Sequence, residues 1–409
     1  MKQSKHPPLQ VAEFQGLYGP FSFPEKLLQK IWLLGLFDRQ AARLDDGTPL
    51  EVLTPGRWNL LGGPDFRGAN LRLGGRDVSG DVEVHFHAAD WAKHGHDRDP
   101  AYAGVVLHVV LFEPPAGGAR PRRLDGREIP QLVLLPWLHC HLEEFAADDA
   151  IEALVHRHAV QLAEALLELP RVARLERLRA AAERRWKQKV HFAEVRLARL
   201  GWEEACHHTA LEILGYRFNR APMLAVAGRF PLRLWRERIP ASAELWATGE
   251  PCWRRQGVRP ANHPRHRLDQ YCAWIAAASD WPARWLLWRD SVVCVSPENL
   301  ADVAKTRREY GFPAWRDRLA QQVVGGAVSG ARLDTLITNG LLPLLAAQSG
   351  ERLFDRWFAW YPGEVPERLT RALRLAGICG RGAAPLHEGA VQAMLQLSLD
   401  QPDGFGSRD

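Results

Sequence analysis

The sequence predicts an α+β protein, with a mixed α/β domain over residues 1–145 and a mainly helical region over residues 146–400. Three observations carry this expectation. Apolar residues alternate with period two, or run continuously over strand lengths, between residues 50 and 135; after residue 147 they recur every three to four positions. The charge balance also changes along the chain. Residues 1–150 hold 16 Lys/Arg against 20 Asp/Glu, whereas residues 229–332 hold 17 against 10. Finally, a chain of 409 residues that is 46% hydrophobic and 25% charged is long enough for more than one core, which excludes a disordered or disulfide-scaffold protein.

The elements follow in order. Residues 1–20 are rich in Pro and Gly and read as loose. Phe23-Pro24-Glu25 opens a helix, because proline is tolerated in a first turn. Its stripe is Leu27, Leu28, Ile31, Trp32 and Leu34, ending near Phe37. A strand begins at Leu50 after the turn Asp45-Asp46-Gly47. Residues 65–73 and 78–87 pair as strands across Gly74-Gly75, a hairpin signal. Residues 89–102 are polar and read as a short helix or ordered loop. Residues 105–112 form a continuous apolar strand containing His108, and residues 129–135 form another. Residues 147–201 are helical, interrupted at Pro170, and residues 202–214 and 334–345 are further helices.

Six cysteines without a CxxC pair predict reduced thiols and a cytoplasmic protein. The first residues lack the apolar run of a signal peptide, and no stretch of about 18 apolar residues predicts a membrane span.

The chemistry concentrates in Gly80-Asp81-Val82-Glu83-Val84-His85-Phe86-His87. Period two places Asp81, Glu83, His85 and His87 on one face, with Val82, Val84 and Phe86 facing the core. Asp65, at the start of the preceding strand, joins Glu83 as a carboxylate pair suited to Mg²⁺ or Mn²⁺, with Asp81 as an alternate ligand. His85 stands beside them as acid/base or electrostatic helper. The competing expectation is an antiparallel strand with one solvated face. A second cluster holds Asp90, His94 and His96. The pairs His85/His87 and His94/His96 also suit Zn²⁺, although they match no closed Cys/His pattern. His108 reads as a core histidine or as a contributor from the adjoining strand.

Two resemblances rest on these residues. The segments Gly63-Pro64-Asp65-Phe66, Gly80-Asp81-Val82-Glu83-Val84-His85, Asp90-Trp91 and Arg259-Pro260-Ala261-Asn262-His263-Pro264 together resemble an uncharacterised bacterial family, a domain of unknown function. The N-terminal order of helix, three strands, crossover and strand is similar to the PD-(D/E)XK restriction-endonuclease-like fold. That second resemblance implies a nuclease-like domain with Asp65 and Glu83 as metal ligands and Glu25 as an accessory ligand. It also places His85 where that fold usually has lysine.

Arg254 to Arg267 is the most cationic stretch and reads as a loop, because its prolines disfavour a helix. Eight of the 16 Trp lie between Trp235 and Trp315. Trp at helical spacing reads first as core. The functional alternative is a groove where Arg259, Arg265 and Arg267 contact phosphates and aromatic rings stack on bases. The expected function is thus a divalent-metal-dependent phosphodiesterase acting on nucleic acid. The alternatives are a silent nucleic-acid-binding or scaffold protein and a zinc-dependent hydrolase.

Overall fold

The computed structural model describes residues 11–16, 19–59, 62–115, 118, 120–139, 142, 145–146, 159–250, 253–255, 262–288, 302–380 and 384–400. It is an α+β structure, with a mixed sheet in the N-terminal part and helices after it. Internal contacts divide the chain into one unit reaching Ala146 and a second from Ala147 onward, the second also taking residues 17–19.

In the first unit, strands β1 (Val11–Gly16) and β2 (Gly19–Pro24) form a two-stranded sheet. This corrects the loose reading for residues 11–16 and 19–20, where pairing satisfies backbone groups that composition alone leaves open; residues 1–10, 17 and 18 lie outside the described residues. Helix α1 (Glu25–Leu34) starts directly after Pro24 and buries Leu27, Leu28, Ile31 and Trp32. Gly35 ends it at φ +62, and the N–H groups of Gly35 and Leu36 close back onto the Trp32 and Ile31 carbonyls.

The main sheet has six strands: β3 (Leu50–Thr54), β4 (Arg57–Trp58), β5 (Phe66–Leu73), β6 (Arg76–His85), β7 (Val105–Val110) and β8 (Gln131–Val133). Their order is β3-β5-β6-β7-β8, with β4 also paired to β5. β5 and β6 form an antiparallel hairpin through Gly74 (φ +54) and Gly75 (φ +86), the two positive angles that a tight hairpin turn needs. β6, β7 and β8 are mutually parallel, so a crossover must join β6 to β7. That crossover contains the short helix α2 (Asp90–Lys93) and a 3₁₀ turn at Pro100–Tyr102. β7 is apolar throughout except for His108 because it lies centrally between two parallel neighbours.

In the second unit, a helix at Ala159–Leu167 precedes a long helix at Arg171–Leu214, which begins directly after Pro170 and bends at Gly201 (φ +74). The described residues contain thirteen further α-helical or π-helical segments, from Tyr216–Arg229 to Glu388–Leu399. Trp235, Trp246, Trp253, Trp274, Trp281, Trp285, Trp288 and Trp315 are all buried in its core. The tryptophan excess is therefore packing, and no base-stacking groove is made from these rings. Helix Pro264–Ala277 corrects the loop expected at Arg265 and Arg267: Pro264 occupies the first turn, and His263 caps it through Nδ1 accepting from the Arg265 N–H. Arg259 and residues 147–158 lie outside the described residues. No described helix is long and apolar enough to cross a membrane.

Candidate metal centre

The sheet register builds the centre. Glu83 on β6 lies opposite His108 on β7, and His108 lies opposite Gln131 on β8. Three polar side chains thus form a row across adjacent parallel strands, with His85 two residues beyond Glu83. Glu83 and His85 are 5% and 2% exposed, so the solvated-face alternative does not hold at these two positions, whereas Asp81 is half-buried and His87 exposed. The crossover covers this face. Trp91, Tyr102, Val105 and Ile129 form a separate small core, and the Trp91 indole N–H donates to the Arg122 carbonyl (2.9 Å).

That cover brings His94 and His96 to His85. One ligand-capable nitrogen from each of the three rings lies within 4.8 Å of the others. His94 Nδ1 is 3.1 Å from His85 Nε2. Glu83 Oε1 lies 3.4 Å from His85 Nε2 and 3.3 Å from His96 Nε2. The His96 ring is stacked on Tyr102, with centroids 3.8 Å apart, and its buried Nε2 has no hydrogen-bond partner. His94 is the solvent-facing member of the group.

The carboxylates are held from behind. Trp58 Nε1 donates to Gln29 Oε1 (3.0 Å), and Gln29 Nε2 donates to Asp65 Oδ1 (2.7 Å). The Val84 N–H donates to Asp65 Oδ2 (3.1 Å), and the Asp65 N–H donates to Glu83 Oε2 (2.9 Å). Both Asp65 oxygens and one Glu83 oxygen are therefore engaged, which leaves Glu83 Oε1 aimed at the histidines. Glu83 thus meets both Asp65, through the Asp65 N–H, and His85, while the Asp65 carboxylate turns to Gln29 and Val84.

Burial dominates the electrostatics. It pushes the Glu83 carboxyl up to about 8, aided by the Glu25 charge on α1. Burial, then the charge of Glu83, holds Asp65 well above the usual carboxylate range. Burial pushes His108 down to about 3 and His96 to about 4, and with the neighbouring imidazoles it holds His85 well below its usual value. Unprotonated imidazole is the metal-binding form.

The other candidates fall elsewhere. β6 ends at His85, so alternation no longer governs His87, which is exposed and stacked on Phe112. Asp81 sits opposite a β-bulge in β5, where its Oδ1 accepts from the Gly68 N–H (3.0 Å). Asp90 Oδ2 accepts from the His87 N–H (3.1 Å), fixing the turn into α2. In the second unit, Arg265 is exposed with its guanidinium over the Trp246 ring. Arg267 is buried and donates to Gln270 Oε1 and Asn262 Oδ1, so it does not face a ligand on the surface as expected.

Sequence reasoning missed Gln29, Trp58 and Gln131. Gln131 carries a signal in hindsight: it is a lone polar residue at the start of an apolar strand. Gln29 and Trp58 carry none, because their roles depend on α1 and β4 meeting over Asp65.

Fold and centre together define an α+β protein with a buried histidine–carboxylate cluster in its sheet unit. The chain belongs to the family described as Protein of unknown function (DUF2851), whose model matches residues 25–248. No curated protein and no solved structure matches it. The family match starts at the first residue of α1, contains the whole cluster, and stops before Arg259, Arg265 and Arg267.

Proposed function

We propose that the N-terminal unit is a metal-dependent hydrolytic centre in which His85, His94, His96 and Glu83 hold a transition-metal ion, zinc foremost. The carrying observation is the convergence of three imidazole nitrogens within 4.8 Å of one another, with Glu83 Oε1 3.4 Å from His85 Nε2 and 3.3 Å from His96 Nε2. A tetrahedral site with metal–ligand distances of about 2.0–2.1 Å has edges of about 3.3–3.4 Å. Three of the six separations among these donor atoms, at 3.1, 3.3 and 3.4 Å, lie near that figure, and the three imidazole nitrogens all lie within 4.8 Å of one another. Imidazole donors favour zinc or its neighbours over Mg²⁺.

Each residue then has a role. His85 and His96 are fixed by the sheet and by stacking on Tyr102, while His94 gives access from solvent. Glu83 either completes the ligand set or takes a proton from water beside it, and Asp65, Gln29 and Trp58 hold its carboxyl in place. A bound ion of this kind supplies Lewis-acid activation of that water. Phosphodiesters, nucleic acid among them, are the substrate class we favour, because α1, the strands β3, β5 and β6 (with the two-residue β4 beside them), the crossover and the parallel strand β7 follow the order of the nuclease-like resemblance.

A second reading keeps Mg²⁺ or Mn²⁺ on Asp65 and Glu83, supported by the Asp65 N–H to Glu83 contact. It is the weaker reading because both Asp65 oxygens already accept hydrogen bonds.

The test is metal analysis of protein purified without added metal or chelator, followed by hydrolysis of bis(p-nitrophenyl) phosphate and nucleic acids with Zn²⁺, Mn²⁺ or Mg²⁺. Stoichiometric zinc, lost in the double variant His85→Ala/His94→Ala, is the expected result. Turnover with Mg²⁺ that survives this double variant but not Asp65→Ala would move the assignment to the second reading. No metal and no turnover under any condition would end both.

A further inference from the structure

The hydrogen-bond chain behind His85 has a direction. His85 Nδ1 is 2.9 Å from His108 Nε2, and His108 Nδ1 is 3.0 Å from Gln131 Nε2. All three side chains are buried. With the Gln131 amide nitrogen toward His108, Nδ1 of His108 accepts. Neutral His108 then carries its hydrogen on Nε2 and donates it to His85 Nδ1. Neutral His85 must in turn carry its own hydrogen on Nε2, the atom that faces His94 and Glu83. In that state His85 has no lone pair to offer an ion.

The reverse direction is equally complete. If His85 carries its hydrogen on Nδ1, it donates to His108 Nε2. His108 then carries a hydrogen on Nδ1 and needs an acceptor beside it. A half-turn of the Gln131 amide supplies Oε1 at the same place. Each ring holds one hydrogen before and after. The His108 hydrogen crosses to His85 Nδ1, the His85 Nε2 hydrogen leaves to solvent, and His108 Nδ1 takes one from solvent as Gln131 turns. An amide can donate in one state and accept in the other without changing its own protonation. An ionised glutamate would accept only, and an apolar residue would do neither.

We propose that Gln131 and His108 form a tautomer relay that sets whether His85 Nε2 can bind a metal ion, Gln131 acting as a two-position switch. This rests on the reading of His85 as a ligand. Partners that orient a metal-binding histidine typically change metal affinity by about 10–100-fold when altered. Both relay residues are positioning residues, since neither faces the other two histidines' shared space.

The experiment is long-range ¹H–¹⁵N NMR of the histidine rings in the full chain, with and without zinc, joined to zinc affinities from chelator competition. In the metal-free protein His85 and His108 are both expected as Nε2–H tautomers, and zinc should turn both into Nδ1–H. Gln131→Glu, read at a pH where its carboxylate is ionised, should favour the Nδ1–H tautomers before any zinc is added and raise zinc affinity about tenfold. Gln131→Met, which keeps the volume and guards against misfolding of the glutamate variant, should lower affinity about tenfold. Zinc binding at His85 with an unchanged His108 tautomer would overturn the relay and leave the metal centre standing. Absence of zinc binding, with the expected metal-free tautomers and their reversal in Gln131→Glu, would overturn the metal reading and leave the relay standing.

Discussion

Two buried histidines, one in each unit, differ in whether the fold satisfies their ring nitrogens. In the helical unit His207 is wholly buried, with its Nε2–H donating to the Phe230 carbonyl (3.0 Å) and its Nδ1 accepting from the Tyr271 hydroxyl (2.7 Å). In the sheet unit His96 is nearly as buried, yet its Nε2 has no hydrogen-bond partner and faces Glu83 at 3.3 Å. Burial pushes both rings down, His207 to about 3 and His96 to about 4. Desolvation therefore does not distinguish them; satisfaction does. Arg307 repeats the helical pattern, donating to the carbonyls of Ala359, Trp360 and Leu386. Polar groups satisfied in this way stabilise one packing. A converging group with one atom left unsatisfied, as His96 Nε2 is, leaves room for a ligand to satisfy it.

The largest expected effect breaks the sheet side of this contrast. His85→Ala/His94→Ala should lower zinc affinity by about three orders of magnitude, about 4 kcal/mol, in a chelator-competition titration. Circular dichroism of the metal-free variant should be unchanged, because these rings do not hold the main core.

The next effect probes the helical side by pH. The folded pKa of His207, about 3, lies below its unfolded value of about 6.5. Its stabilising contribution is therefore complete above pH 6.5 and falls as the pH drops towards 3, since only the unfolded chain takes up the proton. Urea unfolding followed by tryptophan fluorescence should show a loss of about 2 kcal/mol between pH 6.5 and 5 from this group. His207→Gln should flatten that slope by one proton; an unchanged slope would mean that His207 is not buried neutral.

A smaller effect tests satisfaction alone. Tyr271→Phe removes one hydroxyl and strands His207 Nδ1. The expected cost is about 1–2 kcal/mol in the same urea experiment. The smallest effect is at the surface. Arg265→Ala loses one exposed contact over Trp246 and should change stability by under about 0.5 kcal/mol. Any salt-dependent loss of nucleic-acid binding in that variant would then report a direct phosphate contact.

Much of the sheet unit is legible in its residues. The alternation around Glu83 and His85, the Gly74-Gly75 turn and the apolar run at residues 105–110 each encode a local preference that the fold keeps. The errors came where local rules stop. His87 lies past the end of β6, and Asp81 meets a bulge in the neighbouring strand. Neither boundary has a marker within its own segment. The tryptophans of the helical unit were legible as core because large rings at helical spacing have few other places to go.

The division into a sheet-forming and a helix-forming part, the face on which Glu83 and His85 lie, and the burial of the aromatic residues are all written in local residue order. These depend on periodicity and transfer free energy, which are local properties. The assembled fold alone brings His94 and His96 back over His85. It also decided that Gln29 and Trp58 brace Asp65, and that Gln131 stands behind His108. Those contacts join α1, four strands and a crossover across up to about 100 residues of chain, and no periodicity within one segment encodes which side chains a parallel sheet and its crossover bring together.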